Sequence, residues 1–217
     1  CDAAPGDVDD LRRLGIHVTA GHDPGHVEGA RALVVTSAMS RTHPEIERAH
    51  ALGLPVIRRA EALGEATAGG ELVAVAGTHG KSTTTVMAAD ALAAAGRNPT
   101  ALVGARVHEW SGNLRVGSPT LYVVEADEYD RSFLALSPTV AVITNVEADH
   151  LDIYADLVDI RGAFTQFARG ARAILLSADD EQARTLPTPD SAAVVRFGVR
   201  ASDARLSATD LRFAAGG

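Results

Sequence analysis

LVAVAGTHGKSTTT, residues 72–85, is the stretch that decides the fold. Leu72 to Ala76 is an unbroken apolar run of strand length, the pattern of a strand buried on both faces rather than on one. Gly77 to Gly80 then reads as a loop. Ser82 to Ala95 reads as an Ala-rich helix, closed by Gly96. Glycines let a chain turn tightly and bring its backbone close to a phosphate. A helix N-terminus offers free N–H groups and a partial positive charge to the same anion. Lys81 is then placed to reach terminal phosphates, and Ser82 to set its hydroxyl on Mg²⁺. The plain alternative is an ordinary strand–turn–helix connection with a solvent lysine. The general form G-x-x-x-x-G-K-[ST] would need glycine at position 75, where this chain has Val75, so the loop reads G-x-x-G-K-S.

Working outward, short β-branched runs alternate with helix-like stretches. Ala32 to Thr36, Pro55 to Ile57, Leu121 to Val124, Val140 to Thr144 and Ala173 to Leu176 read as strands. Pro44 to Leu52, Glu61 to Ala68 and Asp156 to Ala168 read as helices, the first with proline in its opening turn. Gly69-Gly70 breaks the pattern and is read as a boundary between a segment 1–68 and a segment 69–217. Apolar strands alternating with helices predict an α/β fold, a mostly parallel sheet with helices on both faces. Such sheets take ligands at the carboxyl ends of their strands. The tail from Ser202 to Gly217 shows no closing element, as a chain cut inside a domain would.

The 217 residues are 46% hydrophobic and carry a formal charge of −8, which disfavours nucleic acid and anionic membranes as partners. No apolar run reaches the roughly 20 residues of a membrane helix, and no signal peptide is evident. One cysteine excludes an internal disulfide framework and fits a reducing cytoplasm. Lys81 is the only lysine in the chain.

Two further motifs follow buried runs. Glu125-Ala126-Asp127-Glu128-Tyr129-Asp130 puts four carboxylates at a strand's end, where Mg²⁺ would find hard oxygen donors beside phosphates. Taken alone, it reads equally well as a solvated acidic turn. Thr144-Asn145-Val146-Glu147-Ala148-Asp149-His150 follows the next strand in the same relative place. Three adjacent strand ends bearing amides, carboxylates and an imidazole predict a metal–nucleotide site. His17, His22, His26, His43 and His50 show no ligand-like spacing and are read as surface or local hydrogen-bonding residues.

Together GTHGKSTTT (77–85), EADEYDRSFLALSP (125–138) and VITNVEADHLDIY (142–154) resemble signatures of the Mur ligases. VVTSAMSRTHPEIERAHALGLPVIRRAEAL (34–63) is similar to the end of that family's UDP-sugar domain. The resemblance implies a P-loop-type central ATPase domain over 69–217, preceded by the end of a Rossmann-like domain over 1–68. A glycine-rich loop before residue 1 and a C-terminal domain after residue 217 are implied as well. It implies a bacterial cytoplasmic enzyme of peptidoglycan synthesis, using ATP and two Mg²⁺ ions, with Mn²⁺ a possible substitute. Its implied substrates are UDP-N-acetylmuramate and L-alanine, joined through an acyl phosphate. By position, Gly77, Thr78, His79, Gly80, Lys81, Ser82 and Thr83 would hold the nucleotide. Lys81, Glu125 and His150 would be catalytic, and Ser82, Glu125 and His150 would bind metal. His79 and Asn145 would line the sugar-nucleotide side. The carbamylated lysine that several siblings carry beyond the histidine has no counterpart here. A ligase that adds a preformed peptide, a non-catalytic nucleotide-binding module and a simple P-loop kinase are the competing readings.

Overall fold

The computed structural model describes residues 1–6, 8–37, 39–40 and 42–211, with Asp10 described by its backbone alone. The first part holds α1 (Asp9–Arg13), a 3-10 turn (Pro24–Val27), β1 (Leu33–Val35), α2 (Pro44–Ala51), β2 (Val56–Arg58) and α3 (Arg59–Thr67). Then come β3 (Glu71–Ala76), α4 (Lys81–Ala94), β4 (Pro99–Val107), β5 (Gly112–Arg115) and β6 (Ser118–Glu125). A 3-10 stretch (Tyr129–Ala135), β7 (Val140–Ile143), α5 (Leu157–Ala168), β8 (Ala173–Ser177), α6 (Glu181–Arg184), β9 (Ala193–Gly198) and β10 (Leu206–Ser207) complete the order.

β1 and β2 pair in parallel as a small sheet. The other strands form one sheet in the order β10-β9-β8-β7-β3-β6-β4-β5, in which only β4 and β5 run antiparallel. The fold is therefore α/β with a mostly parallel sheet, as expected. β3 lies at its centre, Val75 opposite Glu125 of β6 and Ala76 opposite Ile143 of β7. After β3 the chain builds β4, β5 and β6 on one side, then crosses to lay β7 to β10 on the other. A reversal of this kind opens a crevice at the strands' carboxyl ends.

Alternation along β3 explains why both faces are covered. Leu72, Ala74 and Ala76 join Ala141, Ile143, Ile174 and Leu176 in the main core, under Ile160, Ala163, Phe164 and Phe167 of α5. The α5 spacing is that of one helical face. Val73 points the other way and packs with Val123 and Ala101 beside Ala89 and Leu92 of α4. Val75 is fully buried, which accounts for the short loop: the strand runs on through position 75 and the turn starts at Gly77.

Some expectations needed correction. Asp156 is the N-cap of α5 rather than its first residue, its carboxylate accepting from Asp159 N at 2.9 Å. Asp156→Ala is expected to cost about 1 kcal/mol in denaturant unfolding, and an unchanged midpoint would show that packing alone sets this helix start. The tail, expected to hold no element, supplies the edge strand β10, while residues 212–217 lie outside the described part. β4, β5 and β9 were not expected. β4 has Gly104 in its middle, β5 is short and polar, and β9 carries Arg196.

Candidate active site

The carboxyl ends of β6, β3 and β7 lie side by side, and each of the three sequence motifs begins there. At the end of β3 the chain passes directly under Thr144. A Cβ on Gly77, whose φ is 145°, would fall 2.0 Å from Thr144 Oγ1, so no other residue fits. Gly80, at φ 79°, turns the chain into α4 in a left-handed conformation that costs glycine little. The opening amides of a helix have no acceptor within it. The α4 N-terminus thus presents donors above the sheet, with Ser82 half-buried and Thr83 exposed beside them.

The loop is held from the β7 side. Asn145 accepts from His79 N at 2.7 Å and donates to His79 O at 3.0 Å. Thr144 Oγ1 also donates to His79 O, and Thr78 Oγ1 accepts from Glu147 N. The Asn145 amide is thus engaged on both its atoms in fixing the loop, while the His79 ring is exposed, 3.7 Å from Glu147. Asn145→Ala removes two such bonds and is expected to lower stability by about 1–2 kcal/mol. A urea midpoint within error of the parent would show that the loop holds its shape without this staple.

The charged groups fall into two sets. Ser82 Oγ donates to Glu125 Oε2 at 2.8 Å, and Gly104 N on β4 donates to the same oxygen at 2.6 Å. Lys81 Nζ lies 2.9 Å from Gly77 O and contacts both oxygens of Glu128, at 3.1 and 2.8 Å. Only the first of these carboxylate contacts has hydrogen-bond geometry; Oε2 has the lysine's charge beside it but no aligned donor. His150 Nε2 is 3.9 Å from Glu128 Oε1 and 3.9 Å from Asp149 Oδ2. Among the described residues no ion pair joins His150 to Glu125.

Glu128 therefore sits between the lysine and the histidine, with a side chain only 4% exposed. Its carbonyl accepts from the Tyr154 hydroxyl at 2.6 Å. Burial pushes that phenol up to about 12, so it remains a donor across the physiological range. The Arg131 guanidinium stacks 4.7 Å over the Tyr154 ring and pairs with Asp159 at 2.6 Å. The Arg131 hydrogen bond holds the Asp159 carboxyl below its usual range. Asp130, Arg131 and His150 all adopt left-handed backbone, at φ 52°, 53° and 52°. Strained residues gathered in one place are typical of a functional site.

Sequence reasoning singled out Lys81, Ser82, Glu125 and His150 but gave no individual role to Glu128 and overlooked Gly104. A glycine inside a strand often marks close backbone approach, and a Cβ at Gly104 would lie 3.2 Å from Glu125 Oε1. A cleft of about 500 Å³ opens beside Glu125, between Arg59 and Leu63 of α3 and Gly104 of β4. Hydroxyl, carboxylates, a lysine and helix amides around one crevice can bind a polyphosphate together with a hard divalent cation.

Residues 75–217 match the model of the Mur ligase middle domain, and residues 1–70 that of the Mur ligase family catalytic domain. A UDP-N-acetylmuramate–L-alanine ligase of Frankia alni is 44% identical over 95% of this chain and 38% of its own length. The same-named ligase of Rubrobacter xylanophilus is 42% identical over 90% of this chain and 44% of its own. The chain thus spans about two fifths of the length of these curated relatives. Among solved structures, the UDP-N-acetylmuramate-alanine ligase of Thermotoga maritima has a TM-score of 0.73 at 32% identity, covering 88% of this chain and 44% of that one. The UDP-N-acetylmuramate:L-alanyl-gamma-D-glutamyl-meso-diaminopimelate ligase of Neisseria meningitides has a TM-score of 0.74 at 30% identity, covering 87% of this chain and 65% of that one.

Proposed function

The chain belongs to the Mur ligase family, and from that premise we propose that it forms the nucleotide-binding part of an ATP-dependent amide ligase joining L-alanine to UDP-N-acetylmuramate. The observation that carries this reading is the Ser82–Glu125 pair at the mouth of the glycine loop, with Lys81 one residue away on the same helix start. Residues 1–68 would be the end of the sugar-nucleotide domain and residues 69–217 the ATP-binding domain.

In this reading Gly77 to Thr83 cradle the phosphates through backbone amides, and Lys81 leaves Glu128 to contact the β and γ phosphates. Ser82 Oγ and Glu125 Oε2 already converge, and a hydroxyl with a carboxylate is the donor set that suits Mg²⁺. They would hold a first ion, and Glu125 with His150 a second; the carboxylate oxygens suit Mn²⁺ as well as Mg²⁺. When bound, such ions neutralise charge on the phosphoryl group. The muramyl carboxylate would enter by the cleft beside Glu125, while His79, its backbone fixed by Asn145, would line the sugar-nucleotide side. Its oxygen attacks the γ-phosphorus and ADP leaves. The alanine amine then adds to the acyl carbon, and phosphate departs as the amide forms. Asn145 and the Tyr154–Glu128 bond serve by holding loop and acid in place before ATP arrives. We place the reaction in the bacterial cytoplasm, where ATP is made; no helix among the described residues is long and apolar enough to cross a membrane.

A second acceptor is supported by the Neisseria structure, which superposes as well as the Thermotoga one. The deciding experiment uses the full-length protein with UDP-N-acetylmuramate, ATP and Mg²⁺. Phosphate release that depends on L-alanine is the expected result. Release that depends on L-alanyl-γ-D-glutamyl-meso-diaminopimelate would assign the peptide-adding reaction, and ADP formation that needs no amine and frees no phosphate would point to a kinase. Neither ADP nor phosphate, together with Mg²⁺-dependent ATP binding, would leave a non-catalytic module.

A further inference from the structure

The five histidines of the first segment, given no ligand role from their spacing, are partly drawn together by the fold. Two trios have their donor atoms within 4.8 Å of one another: Cys1, His26 and Glu45, and His22, His43 and Glu45. Both meet at Glu45, whose side chain is only 1% exposed. An isolated buried carboxylate is costly. Here Oε1 takes Cys1 Sγ at 3.0 Å, His26 Nδ1 at 2.9 Å and Asp23 N at 3.2 Å, while Oε2 takes His22 Nδ1 at 3.3 Å. Burial raises the carboxyl's pKa, but the bonds from His26, Asp23 and His22 outweigh it and hold the group ionised at neutral pH.

The two trios are not equivalent. His43 Nδ1 accepts from Glu45 N at 3.3 Å and caps α2, so that nitrogen is already committed. His26 Nδ1 likewise faces Asp23 N, at 3.3 Å, but only its trio includes a thiol, and Cys1 and His26 are both exposed and can adjust. We propose that Cys1, His26 and Glu45 form a binding site for a divalent transition metal of the zinc class. A thiolate, an imidazole and a carboxylate are the donors such ions select, whereas Mg²⁺ and Ca²⁺ favour oxygen alone. Zinc bond lengths place ligand atoms roughly 3.3–3.7 Å apart, so the present 2.9–3.0 Å contacts to Oε1 need open by only about half an ångström. Three protein ligands leave one tetrahedral position for water. The thiol proton is released to solvent on binding. The ion would tie residue 1 and the Pro24–Val27 turn to α2, a cross-link that Glu45 now makes through hydrogen bonds alone.

Cobalt titration of the whole chain tests this. Cys1 is the only cysteine, so a thiolate-to-cobalt charge-transfer band reports on this site and not on Ser82 and Glu125. One equivalent of Co²⁺ should raise the band and Zn²⁺ should displace it. The band should vanish in Cys1→Ser, weaken in affinity at least about tenfold in His26→Ala, and persist in His22→Ala and Glu125→Gln. A measurement needing no variant is alkylation of Cys1, which saturating Zn²⁺ should slow about tenfold or more and Mg²⁺ should not. A folded chain that gives no band, a band whose affinity ignores His26, or alkylation unaffected by Zn²⁺ would overturn the proposal and leave a purely hydrogen-bonded anchor.

Discussion

Lys81→Ala is expected to weaken ATP-analogue binding by roughly ten- to a hundredfold and to slow ligation in the full-length protein by roughly 10²–10³-fold. The loss should have two separable parts. The ammonium is the proposed partner of the β and γ phosphates, and without ligand it neutralises Glu128, whose side chain is 4% exposed. Removing it leaves a buried carboxylate without its cation, a situation worth roughly 3 kcal/mol of stability when little solvent can intervene. Glu128→Gln in the same chain should restore most of that stability, because a neutral amide needs no counter-charge. It should not restore binding. Titration calorimetry with a slowly hydrolysed ATP analogue, with and without Mg²⁺, and urea unfolding of the single and double variants separate the two parts. Binding regained in the double variant would mean that Lys81 acts only by stabilising the fold, and the phosphate role assigned to it would be lost.

Phe164→Ala carries the largest expected effect on stability, about 3–5 kcal/mol. Phe164 is fully buried on the inner face of α5 and meets Phe133 edge-to-face at 5.1 Å between ring centroids. Phe133 in turn stacks on Phe167 at 5.0 Å. Truncation would leave a cavity between α5, the Tyr129–Ala135 stretch and the sheet. Because that stretch begins just after Glu128, nucleotide binding should also weaken, though by less than in Lys81→Ala. A loss below about 1 kcal/mol in denaturant unfolding would mean that the helix collapses onto the sheet and that the aromatic cluster is not the core's keystone.

How much of this could be read along the chain follows from where each signal resides. The strand of Leu72 to Ala76, the loop at Gly77 to Gly80 and the helix after it are local: apolar periodicity and glycine placement carry them, and their boundaries agree with the structure to within a residue or two. Lys81, Ser82, Glu125 and His150 were visible for the same reason, each standing at the end of a strand-like run. β4 was hidden because Gly104 interrupts its pattern, and that glycine is there to admit Glu125.

Pairings between distant residues were not legible, because nothing in linear spacing encodes which strand ends become neighbours. The contact of Lys81 with Glu128, of Gly104 with Glu125 and of Asn145 with His79 all depend on the order β7-β3-β6-β4. The gathering of Cys1, His22, His26 and His43 around Glu45 likewise depends on how the first segment folds back on α2. The sequence by itself determined the elements of the chemistry: a phosphate-binding turn, hard oxygen donors and an imidazole, each set at the end of a buried strand. Only the tertiary structure decided which charge neutralises which, because a buried carboxylate takes the nearest donor that packing allows, and packing is a property of the whole sheet.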